Sequence, residues 1–209
     1  MRQLILKMHI SADGFVGGPN GEIDWIFKNF DAGAAAWTVA TIWQAGAHLM
    51  GSRTFRDMAA YWPTSTEPFA APMNEIPKIV FSRKASVGEA STTRALEHAT
   101  RLRKDNGAPV TPAIASSWAN PTIAGGDLAE EIARLKQQSG KPLLAHGGAS
   151  FAQSLVRQGL IDEYHLLVHP VALGRGLPLF SGLTKPLDLK LMTATTFESG
   201  AVAHVYGPV

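Results

Sequence analysis

Short apolar runs alternate along the chain with longer amphipathic stretches, and glycine or proline marks most junctions between them. The first run, residues 3–10, is apolar but for Lys7 and His9 and predicts a buried opening strand. Gly14, Gly17, Gly18, Pro19, Asn20 and Gly21 predict a long loop with a Pro-Asn-Gly tip. Asp31 is placed to cap a helix running past Trp37 and Ile42 to about Gln44, with Gly46 ending it. Ala47 to Met50 reads as a strand that stops at Gly51, and Ser52 to Ala60 as a helix. Residues 63–77 read as a Pro-rich loop, and Lys78 to Phe81 as the next strand.

The stretch 86–112 differs, carrying a polar helix over Ser91–Lys104 between Gly88 and Asn106-Gly107, and is read as a surface insertion. Trp118 to Ala124 predicts a short strand. Asp127 caps an amphipathic helix with Leu128, Ile132 and Leu135 on one side. Leu143 to His146 is a strand that passes through Gly147-Gly148 into a helix over Ala149–Gln158. Glu163 to Pro170 follows as a strand, then a Gly-rich connection and two strands near Leu187–Thr195 and Ala201–Tyr206. The alternation predicts a single α/β domain over residues 1–209: a mostly parallel central sheet, helices on both faces, and a C-terminal antiparallel hairpin.

Composition narrows the chemistry. A chain of 209 residues that is 45% hydrophobic has enough apolar material for one sizeable core. Its lack of cysteine excludes disulfides, Cys-ligated zinc, iron–sulfur clusters and thiol nucleophiles. With 19 Lys+Arg against 17 Asp+Glu and no like-charged arm, nothing recommends a nucleic-acid partner. The opening apolar run is too short and polar for a signal peptide or membrane span. The expectation is a cytoplasmic protein acting on a small molecule.

Two junctions stand out: Gly51-Ser52-Arg53-Thr54 and Gly147-Gly148-Ala149-Ser150, each a buried strand running through glycine into a helix. A helix start offers unpaired N–H groups and partial positive charge, and glycine lets a phosphate approach closely. Two such starts on one sheet edge suit the phosphates of a dinucleotide, although each alone also reads as an ordinary tight turn. Ser82-Arg83-Lys84, just past a strand end, suits a phosphate monoester, or is simply a solvated basic loop. Asp13 reads as a turn residue. Asp24 precedes Trp25, Ile26 and Phe27, an apolar setting that would raise a carboxyl pKa for proton delivery; the alternative is a plain helix cap. His165 and His169 would lie roughly 13 Å apart on a strand, too far to share a metal, so no metal site is expected.

Several blocks in order resemble the bacterial bifunctional deaminase–reductase C-terminal domain family, a dihydrofolate-reductase-like group. They are Ser11-Ala12-Asp13-Gly14-Phe15-Val16, Gly51 to Thr54, His146 to Ser150, Gly159 to Tyr164 and His169 to Gly176. The resemblance implies a dihydrofolate-reductase-like fold with NADPH along the carboxyl edge of the sheet. Gly51, Ser52, Arg53 and Thr54, with Gly147, Gly148, Ala149 and Ser150, would hold its phosphates, and Ser82 and Arg83 would lie near the 2′-phosphate. Leu160 to Glu163 would order the packing. The opening also looks like that of dihydrofolate reductases, where a flexible loop precedes an acidic residue, which makes Asp24 the implied proton relay. The implied activity is hydride transfer to a small heterocycle or imine, as in the reductase of riboflavin biosynthesis, in a homodimer whose interface no segment identifies. Dihydrofolate reduction and a non-catalytic nucleotide-binding module are the alternatives. The blocks of a deaminase domain are missing from this chain, and the segment from Arg83 to Trp118 is longer than the family leads one to expect.

Overall fold

The computed structural model describes residues 1–82, 89–102 and 107–209. Its eight strands are β1 Leu4–Ser11, β2 Ala47–Gly51, β3 Lys78–Phe81, β4 Thr122–Ala124, β5 Leu143–Ala145, β6 Glu163–His169, β7 Leu189–Thr196 and β8 Val202–Pro208. They form one sheet in the order β4-β3-β2-β5-β1-β6-β8-β7. The first six are parallel, and β8 runs antiparallel to β6 and β7. This is the mostly parallel sheet with a terminal hairpin that the alternation predicts.

The helices are α1 Trp25–Lys28, α2 Ala32–Trp43, α3 Ser52–Ala59, α4 Ala70–Glu75, α5 Glu89–Leu102, α6 Pro112–Ala119, α7 Leu128–Gln137 and α8 Ala149–Arg157. Parallel strands need right-handed crossovers, so reversing the direction of travel along the sheet moves the connecting helix to the opposite face. From β1 to β4 the chain steps one way, and Ile42 of α2, Phe55 of α3 and Trp118 of α6 pack with Ile5, Met50, Val80 and Leu144. From β4 through β5 to β6 it steps back, and Ile132 and Leu135 of α7 with Ala152 and Leu155 of α8 pack against Leu4, Leu6, Leu49 and Tyr164. Among the described residues no helix is long and apolar enough to cross a membrane.

Local sequence rules account for most boundaries. The Asp31 carboxylate accepts from the Ala34 amide at 2.8 Å and from the Ser199 amide at 2.6 Å, so one residue starts α2 and ties it to the β7–β8 hairpin. Asp127 accepts from Ala129 and Glu130 at the start of α7. Asp162 takes the Leu4 amide at 2.6 Å and pairs with Lys136, which joins β1, α7 and the start of β6.

Three expectations change. Residues 63–77 are not a loop throughout: a 3-10 turn covers Trp62–Thr64, and α4 follows. Proline in the first turn of a helix removes an N–H that has no partner there, so Pro63 and Pro72 are compatible with both. Trp118 belongs to α6, started by Thr111 and Pro112, and only Thr122–Ala124 is strand. The polar helix of the expected insertion is α5 in the β3–β4 crossover. Its Ala99 is buried, and Ala95 and Leu96 pack against the cluster of Phe55 and Trp118.

Leu49 is fully enclosed at the sheet centre, whereas Leu191 on β7 is 50% exposed. Leu49→Ala is expected to cost about 2–5 kcal/mol in denaturant unfolding. Leu191→Ala is expected to stay within about 0.5 kcal/mol, and equal losses would contradict this core.

Candidate functional site

Strand β5 lies between β2 and β1, yet the chain leaves β5 toward one face and leaves both neighbours toward the other. Its carboxyl end is therefore the topological switch point, where crevices open beyond an α/β sheet. Around it, β2 enters α3 directly at Gly51, β3 ends at Phe81 before Ser82, and β5 passes through His146-Gly147-Gly148 into α8.

The two glycine-led helix starts are neighbours in space. A Cβ placed at Gly148 would lie 2.6 Å from Thr54 Oγ1, and Gly148 has φ +69°, so a side chain there is excluded twice over. Neither Gly51 nor Gly148 gives its helix a side-chain cap, whereas Asp31, Thr111 and Asp127 cap α2, α6 and α7. Amide donors at the starts of α3 and α8 thus face the edge with no side chain assigned to them. Phe81 and Phe151 pack with ring centroids 5.0 Å apart beneath the crevice. The Ser82 amide donates to the Ala124 carbonyl at 3.1 Å, which brings Gly125-Gly126 beside Ser82. The Gly125-Gly126 junction was not singled out, although it too runs from a strand through glycine into a helix, here one capped by Asp127. Arg83 and Lys84 lie outside the described residues.

Past β1 and β6 lies an open cleft of about 350 Å³, lined by Asp24, Trp25, Lys28, Asn29, Leu173 and Arg175 among others. Asp24 is exposed and makes no side-chain cap bond to α1, because Trp25 and Ile26 turn inward while Asp24 stays at the rim. The apolar enclosure expected for its carboxyl is not formed. The loop before it is held along its length. Asp13 accepts from Ser11 Oγ, from the Leu173 amide at 3.1 Å and from the Gly174 amide at 2.7 Å. Val16 and Gly17 exchange backbone bonds with Leu177, and a Cβ at Gly176 would sit 2.3 Å from the Gly17 carbonyl. Ser11 first, then Gly174, holds the Asp13 carboxyl below its usual range.

Between cradle and cleft, one sheet face carries a row of basic groups, buried except for the half-buried His9, that sequence reasoning passed over. Lys7 Nζ lies 2.7 Å from His9 Nε2, and His9 Nδ1 lies 2.9 Å from His169 Nε2. Across β5, His146 Nε2 is 2.8 Å from His48 Nδ1, and His48 Nε2 is 3.1 Å from the Pro72 carbonyl. A carbonyl only accepts, so His48 donates from Nε2 and its Nδ1 accepts from His146. Burial pushes the Lys7 amine down to about 7 and His48 to about 4. Burial, then the Lys7 charge, holds His9 well below its usual value; burial, then His48, does the same for His146. Trp25 meets His169 edge-on at 5.4 Å and Phe30 meets His9 at 5.5 Å, roofing this row. The alternation of β1 was the available signal, since Lys7, His9 and Ser11 fall between Leu6, Met8 and Ile10. His165 belongs to a separate pair, with Glu163 at 2.9 Å. Among the described residues no three His, Asp or Glu side chains are grouped to hold a metal ion.

Sheet order, crossover pattern and glycine-lined edge define a dihydrofolate-reductase-like protein. The chain belongs to the RibD C-terminal domain family, whose model matches residues 2–203. It is 31% identical over 205 residues to the uncharacterized protein YyaP of Bacillus subtilis, covering 98% of this chain and 94% of that one. A putative riboflavin biosynthesis protein from Shewanella sp. PV-4 superposes with a TM-score of 0.68 at 20% identity, over 99% of both chains. The Thermotoga maritima diaminohydroxyphosphoribosylaminopyrimidine deaminase/5-amino-6-(5-phosphoribosylamino)uracil reductase gives a TM-score of 0.65 at 16% identity. That match covers this whole chain and 57% of the Thermotoga protein.

Asp13→Ala is expected to release the loop wall without loosening the sheet. In hydrogen exchange the amides of residues 14–17 and 173–177 should lose protection while those of β1 and β6 keep theirs. Unchanged protection in the two loops would show that Asp13 does not hold them.

Proposed function

We propose that this protein is a cytoplasmic NADPH-dependent reductase, a homodimer on the family likeness, that transfers hydride to a small heterocyclic or imine substrate. The observation that carries the reading is the meeting of two uncapped, glycine-led helix starts at the switch point, one strand from a buried lysine. The cradle fits a dinucleotide: Gly51 to Thr54 and Gly147 to Ser150 would hold the pyrophosphate on backbone N–H groups, and Ser82 with Arg83 would lie toward the 2′-phosphate. When bound, NADPH supplies the hydride and no cysteine is needed.

The protein's own part is to hold the substrate and deliver a proton. An amine poised near neutrality is matched to proton delivery at physiological pH, and Lys7 is the buried amine beside the switch point. Asp24, Lys28 and Arg175 line the adjoining cleft and would face the substrate. The two cations suit an anionic group such as the ribose phosphate in the name of the Thermotoga relative, or the glutamate carboxylate of dihydrofolate. Offering each substrate with NADPH separates these, and tight NADPH binding without turnover of either would favour the non-catalytic module.

Two sets of variants test the assignment. Ser150→Asp puts a carboxylate in the first turn of α8, where the helix dipole favours it, so stability should hold while NADPH affinity falls at least about tenfold. Gly148→Asp should abolish binding, and unchanged affinity in Ser150→Asp would remove the phosphate assignment. Lys7→Met should lower kcat by about 10²–10⁴ with NADPH affinity retained, whereas Asp24→Asn should act mainly through the substrate.

Stability offers a second readout for Lys7. From about 7 up to the usual lysine value of 10.5 the unfolded chain holds a proton that folded Lys7 lacks, so stability rises with pH there. Lys78, also pushed down to about 7 by burial, adds to the same rise. Lys7→Met should flatten the slope in part, and an unaltered slope would place the Lys7 amine in water.

A further inference from the structure

His146 stands between the last residue of β5 and Gly147-Gly148. β1 pairs Leu6 with Ala145, so one step further along both chains sets His146 beside Lys7 on the same face. Its Nε2 lies 2.8 Å from His48 Nδ1, and the two rings meet edge-on with centroids 4.6 Å apart. His48 in turn reaches the Pro72 carbonyl of α4 at 3.1 Å. The run from Pro72 to His146 therefore ends at the carboxyl edge of the sheet, where the crevice opens.

Every proton in that run has one place. A carbonyl only accepts, so His48 carries its proton on Nε2 and leaves Nδ1 as an acceptor, and His146 must carry its own on Nε2. The other tautomer of His146 would press two lone pairs together at 2.8 Å inside the fold. What is left is His146 Nδ1, a lone pair. Only 6% of His146 is exposed, yet this nitrogen is neither fully enclosed nor bonded to any described residue. Lys7, the neighbouring donor, is bonded to His9 instead, at 2.7 Å. Burial, then His48, then Lys7 hold the ring well below its usual value, so the lone pair stays open at physiological pH.

We propose that His146 Nδ1 is a binding group that accepts a hydrogen bond from an amide-type N–H of the molecule held at the switch point. This rests on the reductase reading for what that molecule is, although not for the acceptor itself. Two molecules of that reading carry such a group: the nicotinamide through its carboxamide, and a lactam-bearing heterocycle through its ring N–H. A neutral imidazole suits a neutral donor, and its neutrality matters for Lys7 as well. A carboxylate in this place would hold the Lys7 amine charged, whereas a neutral lone pair binds the ligand and leaves the amine near neutrality. The specificity that follows is against analogues. A methyl group or a carbonyl oxygen in place of the N–H leaves a nearly enclosed lone pair unbonded.

Titrations with two pairs of probes test the acceptor and tell its two sources apart. NADPH is compared with its reduced 3-acetylpyridine analogue, in which a methyl ketone replaces the carboxamide, and uracil with 1,3-dimethyluracil. If the donor is the carboxamide, the wild type should prefer NADPH by about tenfold; if it is the lactam, uracil should be preferred by about as much. His146→Phe should erase the preference by weakening only the N–H-bearing probe. His146→Gln, whose amide oxygen accepts, should restore part of it. No preference within either pair in the wild type, or one that survives His146→Phe, would overturn the proposal.

Imidazole nitrogen-15 NMR on the wild type supplies a readout that needs no variant. In the free protein His146 should hold its proton on Nε2 and show a bare Nδ1 from about pH 6 to 8. The preferred probe should move the Nδ1 resonance while Nε2 stays in place. A protonated Nδ1 in the free protein, or one that the preferred probe leaves unmoved, would overturn the proposal. Should NADPH fail to bind, the reductase reading fails, while an Nδ1 shift with uracil that is absent with 1,3-dimethyluracil would still uphold the acceptor.

Discussion

Insertion of β5 between β2 and β1 is the constraint from which the rest of this structure follows. Placed there, β5 must leave toward the face opposite to that used by both neighbours, because right-handed crossovers allow nothing else. The helices consequently part at its carboxyl end. That parting brings the starts of α3 and α8 side by side, with Thr54 filling the space a side chain on Gly148 would need. The same placement pairs Leu4, Ile5 and Leu6 of β1 with β5 and sets Lys7 beyond the last of them, level with the end of that strand.

The second consequence concerns the inner face toward α2 and α4. A sheet face covered on both sides is normally apolar throughout, and here it carries buried Lys7, His48, Lys78, His146 and His169 and half-buried His9. Burying charged amines and imidazoles without carboxylates would be prohibitive, and the structure answers by keeping them neutral or near it and bonding them to one another. Lys78 follows another solution, donating to the Asn74 carbonyl at 2.7 Å and to Ser117, with its ammonium 4.5 Å above the Trp118 ring. Apart from Lys78, the row is held as two bonded sets, Lys7–His9–His169 and His146–His48, in which each member supplies a partner to another.

Much of this was legible in the sequence because it is written locally. Strand β3 over Lys78–Phe81, the caps at Asp31 and Asp127, and the glycine stops at Gly46, Gly51 and Gly159 depend on residues within a few positions of one another. Where proline was read as interruption, it proved compatible with the opening turns at Trp62 and Ala70, since only the interior of a helix rejects it. The basic row could not be read the same way. His9, His48 and His169 come from three strands and His146 from the residue after a fourth, and nothing joined them until the strand order put them on one face. Asp24 shows the reverse case, in which neighbours in sequence suggested an enclosure: Trp25 and Ile26 are indeed buried, but they turn away from it.

The wall that Asp13 and Gly176 hold together bears on time as well as shape. A binding surface built from mobile segments is ordered anew with each arrival, and that ordering slows association and subtracts from affinity. Here the carboxylate of Asp13 and the close approach of Gly176 to Gly17 have done that ordering during folding. A ligand of this cleft would therefore meet a wall already tied from both sides, and its ordering would be no part of the binding step.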